Sequence, residues 1–126
     1  MREETLMEKY FSYQGRINRE RFIFGSLKIL AASFLIAFVI GFIAFFIGLV
    51  SEADGSLQTL SSALGVAFNV ALVMLTIRRW HDMNRSGWWV LLNFIPVVNF
   101  IALIVLCCVK GTDGPNDFGA DPLRQW

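Results

Sequence analysis

The apolar positions of this chain neither alternate nor keep to a single helical stripe. They gather in three long runs separated by short polar segments. The first extends from Phe22 to Val50, and the part best placed as a membrane span is Ile29 to Val50, 22 residues or about 33 Å of helix. The second, Leu60 to Ile77, has 18 residues and reaches about 27 Å. The third, Trp88 to Val109, again has 22 residues. The predicted fold is therefore all-α: a small polytopic membrane helical bundle forming a single integral domain over 1–126, with spans at about 29–50, 60–77 and 88–109 and polar tails at 1–28 and 110–126.

Finer patterning adds detail to each run. Gly15 predicts a break, and Asn18 a cap for a helix beginning at Arg19, because its side-chain oxygen can accept an orphan amide hydrogen. Gly41, Ala44 and Gly48, with Ser33 and Ala37, form one face of small residues. Ala63, Ala67 and Ala71 form another, and Asn69 lies mid-span. Such faces allow close helix approach in lipid, and a mid-bilayer amide needs a partner, so the Asn69 face is expected to turn into the bundle. Pro96 interrupts the third run with Asn93 and Asn99 three residues to either side. Three full spans, the third kinked at Pro96, is the reading adopted. The alternative is a re-entrant hairpin whose asparagines satisfy freed backbone groups.

Composition agrees with this picture. The chain has 126 residues, 56% hydrophobic and 17% charged, and the charge deficit is confined to the three runs. Basic residues set the orientation. Six lie from Arg2 through Lys28, none lies from Ser51 to Thr59, three lie from Arg78 to Gly87, and two lie in the tail. The positive-inside rule places the N-terminus and the Arg78–Gly87 loop in the cytoplasm. Trp80, Trp88 and Trp89 suit the aromatic belt at that boundary. The first run is too long for a signal-peptide core and is expected to remain as an anchor. Cys107 and Cys108, adjacent in an apolar run, are read as small hydrophobes.

Candidate chemistry is sparse. His81 and Asp82 suggest proton or metal handling, but sequence neighbours do not share a helix face, and one histidine is far from a metal site. Pairing of Asp82 with an arginine, with His81 at the interface, is the preferred reading. Arg16, Arg19, Arg78, Arg79 and Arg85 are candidates to face lipid headgroups or an anion, since guanidinium suits phosphate. Asp113, Asn116, Asp117 and Asp121 carry oxygen ligands without the spacing of a calcium loop, and turn chemistry explains them equally well. No catalytic residue, metal or cofactor is assigned. Nucleic-acid binding is not expected, because the few basic residues sit beside membrane.

Three segments together, "FSYQGRINRERF" (11–22), "RRWHDMNRSGWW" (78–89) and "GTDGPNDFGADP" (111–122), resemble the signatures of the DUF805 family of small bacterial inner-membrane proteins. The resemblance covers nearly the whole chain in order. Trp80 departs from the smaller apolar residue common there, and Asp117 from a frequent basic one. What the resemblance implies is a bacterial inner-membrane protein, with Gly15, His81, Asp82, Ser86, Gly87, Trp88, Gly111, Thr112, Gly114, Asn116, Phe118 and Gly119 as motif candidates. It supplies no catalytic role. The leading functional expectation is a non-enzymatic membrane interaction or accessory protein with a cytoplasmic Arg/Trp surface facing headgroups. Its partners would be membrane lipids, other membrane proteins or further copies of the chain. A small oligomeric transporter or channel is the alternative, and a membrane enzyme using His81 and Asp82 ranks third.

Overall fold

The computed structural model describes residues 5–48 and 55–124. The last two residues of the first predicted span, the acidic Glu52 and Asp54, and Arg2 lie outside the described residues. Four α-helices follow in chain order: α1 (Leu6–Phe11), α2 (Arg19–Gly48), α3 (Ser56–Asp82) and α4 (Pro96–Cys108). A 3-10 helix, Gly87–Phe94, precedes α4, and a short one, Pro122–Arg124, follows the tail. Among the described residues there is no strand, only an isolated bridge between Asn116 and Gly119. The all-helical class predicted from the three apolar runs is the class found.

Local chemistry explains where the helices begin. Thr5 and Glu8 form a reciprocal capping box at the start of α1. Gly15 adopts a φ of +86°, a conformation that favours glycine, and turns the chain from α1 toward α2. The Asn18 side chain accepts the Arg21 amide at 2.8 Å, the cap expected of it.

α2 and α3 have 30 and 27 residues and are long and apolar enough to cross a membrane. They pack against each other at one end only. The buried residues of α2 are Phe22, Gly25 and Ile29, and those of α3 run from Ala71 to Asp82. Beyond this end the helices are bare: Phe34 is 74% exposed, and Phe38, Phe42, Phe45 and Val66 are exposed with it. Surfaces this apolar are compatible with lipid and incompatible with water.

The third apolar run is interrupted, so a continuous span over 88–109 is not what forms. The chain runs from the 3-10 helix into an extended Ile95 (φ −95°, ψ 117°) and then into α4, with Pro96 at its first turn. A residue before proline is driven out of helical geometry, and proline is well suited to the first helical position, where its missing N–H has no partner to lose. Pro96 therefore starts a helix and does not kink one. At 13 residues α4 is about 20 Å long, short of the roughly 30 Å hydrocarbon core. Its C-terminal end returns to the end of α3 that the 3-10 helix left, as the Arg79 contacts with Leu106 and Val109 require. The asparagines serve the hairpin differently from expectation: they bond to side chains, not to freed backbone. Asn93 Nδ2 donates to Asn99 Oδ1 at 3.1 Å, and Trp80 Nε1 donates to Asn93 Oδ1 at 3.3 Å.

The small-residue faces are left largely uncovered within this chain. A Cβ on Gly41 or Gly48 would meet nothing within 4 Å. Ala63 and Ala67 are exposed, and Ala44 is half-buried. Asn69 is exposed rather than turned into the bundle, and its amide donates to Gly65 O one turn back at 2.8 Å. Bonding within its own helix removes the need for a partner helix. The close approach of α2 and α3 occurs at Gly25, where a Cβ would lie 3.1 Å from Leu75 Cδ1.

Candidate functional site

At the packed end the three motif segments meet. The N-terminal loop, the C-terminus of α3 and the tail converge on Asp82, which is buried. Its carboxylate accepts from Arg16 Nε at 3.1 Å and from Arg79 Nη1, and Arg16 Nη2 lies 3.0 Å from the oxygen that Nε binds. The two guanidiniums also bind backbone carbonyls of the tail and of the end of α4. Arg16 Nη1 donates to Gly114 O at 2.7 Å and Gly119 O at 3.3 Å, and Nη2 donates to Thr112 O at 2.7 Å. Arg79, 0% exposed, donates through Nε to Leu106 O at 2.8 Å and through Nη2 to Val109 O. Arg19 Nη1 donates to Cys108 O at 3.0 Å. Two arginines thus satisfy carbonyls that the end of α4 leaves without intrahelical partners, where the helix dipole also favours positive charge.

The tail is bound by its backbone as well. Thr112 N donates to Asp82 O at 2.7 Å, and Asn116 Nδ2 donates to His81 O at 2.9 Å. Gly111 passes so close that a Cβ would lie inside van der Waals contact of the Asp82 carboxylate and 2.9 Å from its carbonyl oxygen. Gly114, at φ +74°, and Gly119, at φ +137°, shape the turn that Asn116 closes. Buried Asp121 accepts the Gly114 amide at 3.0 Å and the Leu123 amide at 3.0 Å.

Burial governs the electrostatics. Desolvation pushes the Asp82 carboxyl above the usual carboxylate range, opposed by Arg79 and Arg16. Desolvation lowers Arg79, opposed chiefly by Asp82. Neither charge would be tolerable here alone. Together with saturated hydrogen bonding they form a satisfied buried network. His81 is held below its ordinary value, first by burial and then by Arg78, against the hydrogen bond to Gly15. Its Nδ1 lies 3.1 Å from Gly15 O, and its ring stacks on Phe118 with centroids 4.0 Å apart.

These positions revise the sequence reading of the arginines. Arg16, Arg78 and Arg79 do not face headgroups. All three are buried: Arg16 and Arg79 by the Asp82 network, while Arg78 donates to Lys9 O at 3.0 Å. Arg19 and Arg85 are exposed, and Arg85 lies over the Trp89 ring at 5.0 Å. Trp88 and Trp89 remain exposed, but Trp80 is buried against Trp89 rather than placed in an aromatic belt. Asp82 pairs with arginine as expected, with Arg16 and Arg79 together, whereas His81 is buried under Phe118 rather than lying at an interface. Ser86 caps the 3-10 helix by accepting the Trp88 amide at 3.3 Å. His81 and Asp82 turn to different partners and form no dyad. The acidic tail residues likewise disperse: Asp113 pairs with Lys110 at 2.9 Å in solvent, while Asp121 binds backbone. Gly25 lies outside the predicted span and is not among the residues that the sequence pattern marks. Its spacing of four from Ile29 and three from Phe22 was the available signal.

Two relatives are inner membrane proteins of a bacterium. The chain is 31% identical over 118 residues to the Escherichia coli (strain K12) inner membrane protein YhaI, covering 94% of this chain and 92% of that protein. It is 29% identical over 117 residues to the inner membrane protein YhaH of the same strain, covering 93% and 92%. No solved structure matches. The Asp82 network, from Arg16 to Gly119, lies within residues 10–120, the stretch that matches the family described as protein of unknown function DUF805, and the chain belongs to that family.

Proposed function

We propose that this integral membrane protein is a non-enzymatic accessory protein of the bacterial inner membrane that recognises anionic lipid headgroups at the cytoplasmic face. The observation that carries this reading is the division of the arginines. Arg16 and Arg79 are consumed in building the cap, and what the cap offers outward is Arg85 with Trp88 and Trp89, beside an exposed Arg19 that gives one bond to Cys108 O. Guanidinium beside indole suits the headgroup region, where the ring sits at the boundary and the charge meets phosphate. The positive-inside rule puts this end in the cytoplasm. A catalytic role for His81 and Asp82 is disfavoured, since both Asp82 oxygens are engaged by arginine. The exposed small-residue faces leave room for a second copy or another membrane protein beside the helices.

Reconstitution tests the proposal. Spin-labelled phosphatidylserine is expected to associate with the full-length protein in vesicles at least twofold more strongly than spin-labelled phosphatidylcholine. Alanine at both Arg19 and Arg85 should erase most of that preference, as should high salt. Equal association of the two lipids with the wild-type protein would overturn it. Solute flux through vesicles containing this protein alone would favour the oligomeric transporter reading instead.

A further inference from the structure

Beside the cap, a groove of about 670 Å³ runs between the N-terminal loop, α3 and the 3-10 helix. One wall follows Met74, Ile77 and His81, a stripe of α3 about 10 Å long. Leu91 faces it from the 3-10 helix, and Gln14 and Ser86 stand near His81. The groove is thus apolar toward the membrane-spanning part of α3 and polar at the cap.

His81 supplies a directed group. The residue is buried, at 7% exposed, and its Nδ1 faces a carbonyl, which only accepts. The hydrogen of the neutral ring therefore sits on Nδ1, and Nε2 carries a lone pair. Nε2 has no hydrogen-bond partner among the described residues, and the ring lines the groove. Gly87 keeps that edge open. A Cβ there would lie 3.4 Å from Nε2 and 3.0 Å from Ile77 Cγ2. Gly87 is not among the glycines with positive φ, so space rather than backbone geometry is what its missing side chain provides.

We infer that this groove holds one phospholipid, whose headgroup hydroxyl donates to His81 Nε2 and whose acyl chain lies along Met74, Ile77 and Leu91. The order of apolar and polar walls matches the order of chain and headgroup in a lipid lying alongside α3. The donor must come from the ligand, because Nε2 can only accept. Arg78 lies close enough to act on the His81 ring, so an ammonium donor meets like charge, and a hydroxyl next to a phosphate does not. A glycerol-type headgroup satisfies both conditions. The inference rests on the headgroup-facing reading of the cap but uses different residues.

His81 is the chain's single histidine, so ¹⁵N-histidine labelling yields one imidazole. In phosphatidylglycerol nanodiscs at pH 8, the Nε2 resonance should move toward its hydrogen-bonded position relative to phosphatidylcholine nanodiscs. The ring protons should also show cross-relaxation to headgroup glycerol protons. His81→Asn keeps a short amide donor for Gly15 and lacks Nε2. It should lower retention of a single phosphatidylglycerol at least tenfold in native mass spectra, and Gly87→Val, which fills the groove, should do the same. Cross-relaxation to water alone in both lipids, or undiminished retention by both variants, overturns the inference. An unchanged spin-label preference in the Arg19 and Arg85 variant, with the His81 cross-peak intact, sinks only the general headgroup surface.

Discussion

At the residue scale the molecule depends on one carboxylate. Asp82→Asn leaves two buried guanidiniums without their countercharge, and removing one partner of a buried pair typically costs about 3–5 kcal/mol. Asp82→Asn should therefore lower the melting temperature in detergent sharply, and Arg19→Ala, which loses one exposed hydrogen bond to Cys108 O, should lower it far less. Gly111→Ala forces a methyl against Asp82 and should cost about 1–3 kcal/mol by displacing the tail, visible as faster proteolysis within 111–124. His81 adds a pH dependence. Its folded-state value is depressed, so the unfolded chain binds a proton more readily. The corresponding stability is fully present above the ordinary value of 6.5 and is lost as pH falls through the lower folded value. Melting temperature should fall as pH drops from 6.5 through that lower value and level off beneath it, and His81→Gln should flatten that part of the profile.

At the element scale the informative piece is α4. Proline inside a helix costs about 3 kcal/mol, so relieving a true kink by Pro96→Ala would stabilise the protein clearly. At the first turn of α4 the proline loses no hydrogen bond, and Pro96→Ala should change stability by under about 1 kcal/mol in a thermal melt. Asn93→Leu should do more harm, because it strips Trp80 Nε1 and Asn99 of their shared partner. α2 and α3 behave as shafts clamped at one end. Gly25→Leu, at the clamp, is expected to disrupt folding, while Gly41→Leu, where a side chain meets open space, is expected to be tolerated.

At the scale of the whole molecule the consequence is topological. The tail binds the same end of α2 and α3 as the N-terminal loop. In a variant lacking Cys107 and Cys108, single cysteines at Ser12, Ser86 and Asp113 should react with an impermeant thiol reagent from one face of the membrane, and Ser56 from the other. Reaction of the Asp113 position together with Ser56 would contradict the hairpin.

What the amino-acid order determined unaided is whatever depends on local composition. Three apolar runs, the Asn18 cap, the Gly15 turn and the meeting of Asp82 with arginine are each readable from a few neighbouring residues, because helix formation and burial in lipid respond to local pattern. The return of the third run, the inward turn of Arg16, Arg78 and Arg79, and the burial of His81 were decided only in three dimensions. Arg16 and Asp82 are 66 residues apart, and Arg79 reaches carbonyls 27 and 30 residues away. A guanidinium can face a phosphate or a carboxylate with equal chemical sense. Which it takes depends on whether distant backbone, here the end of α4 and the glycine-rich tail, folds back to bring acceptors within 3 Å.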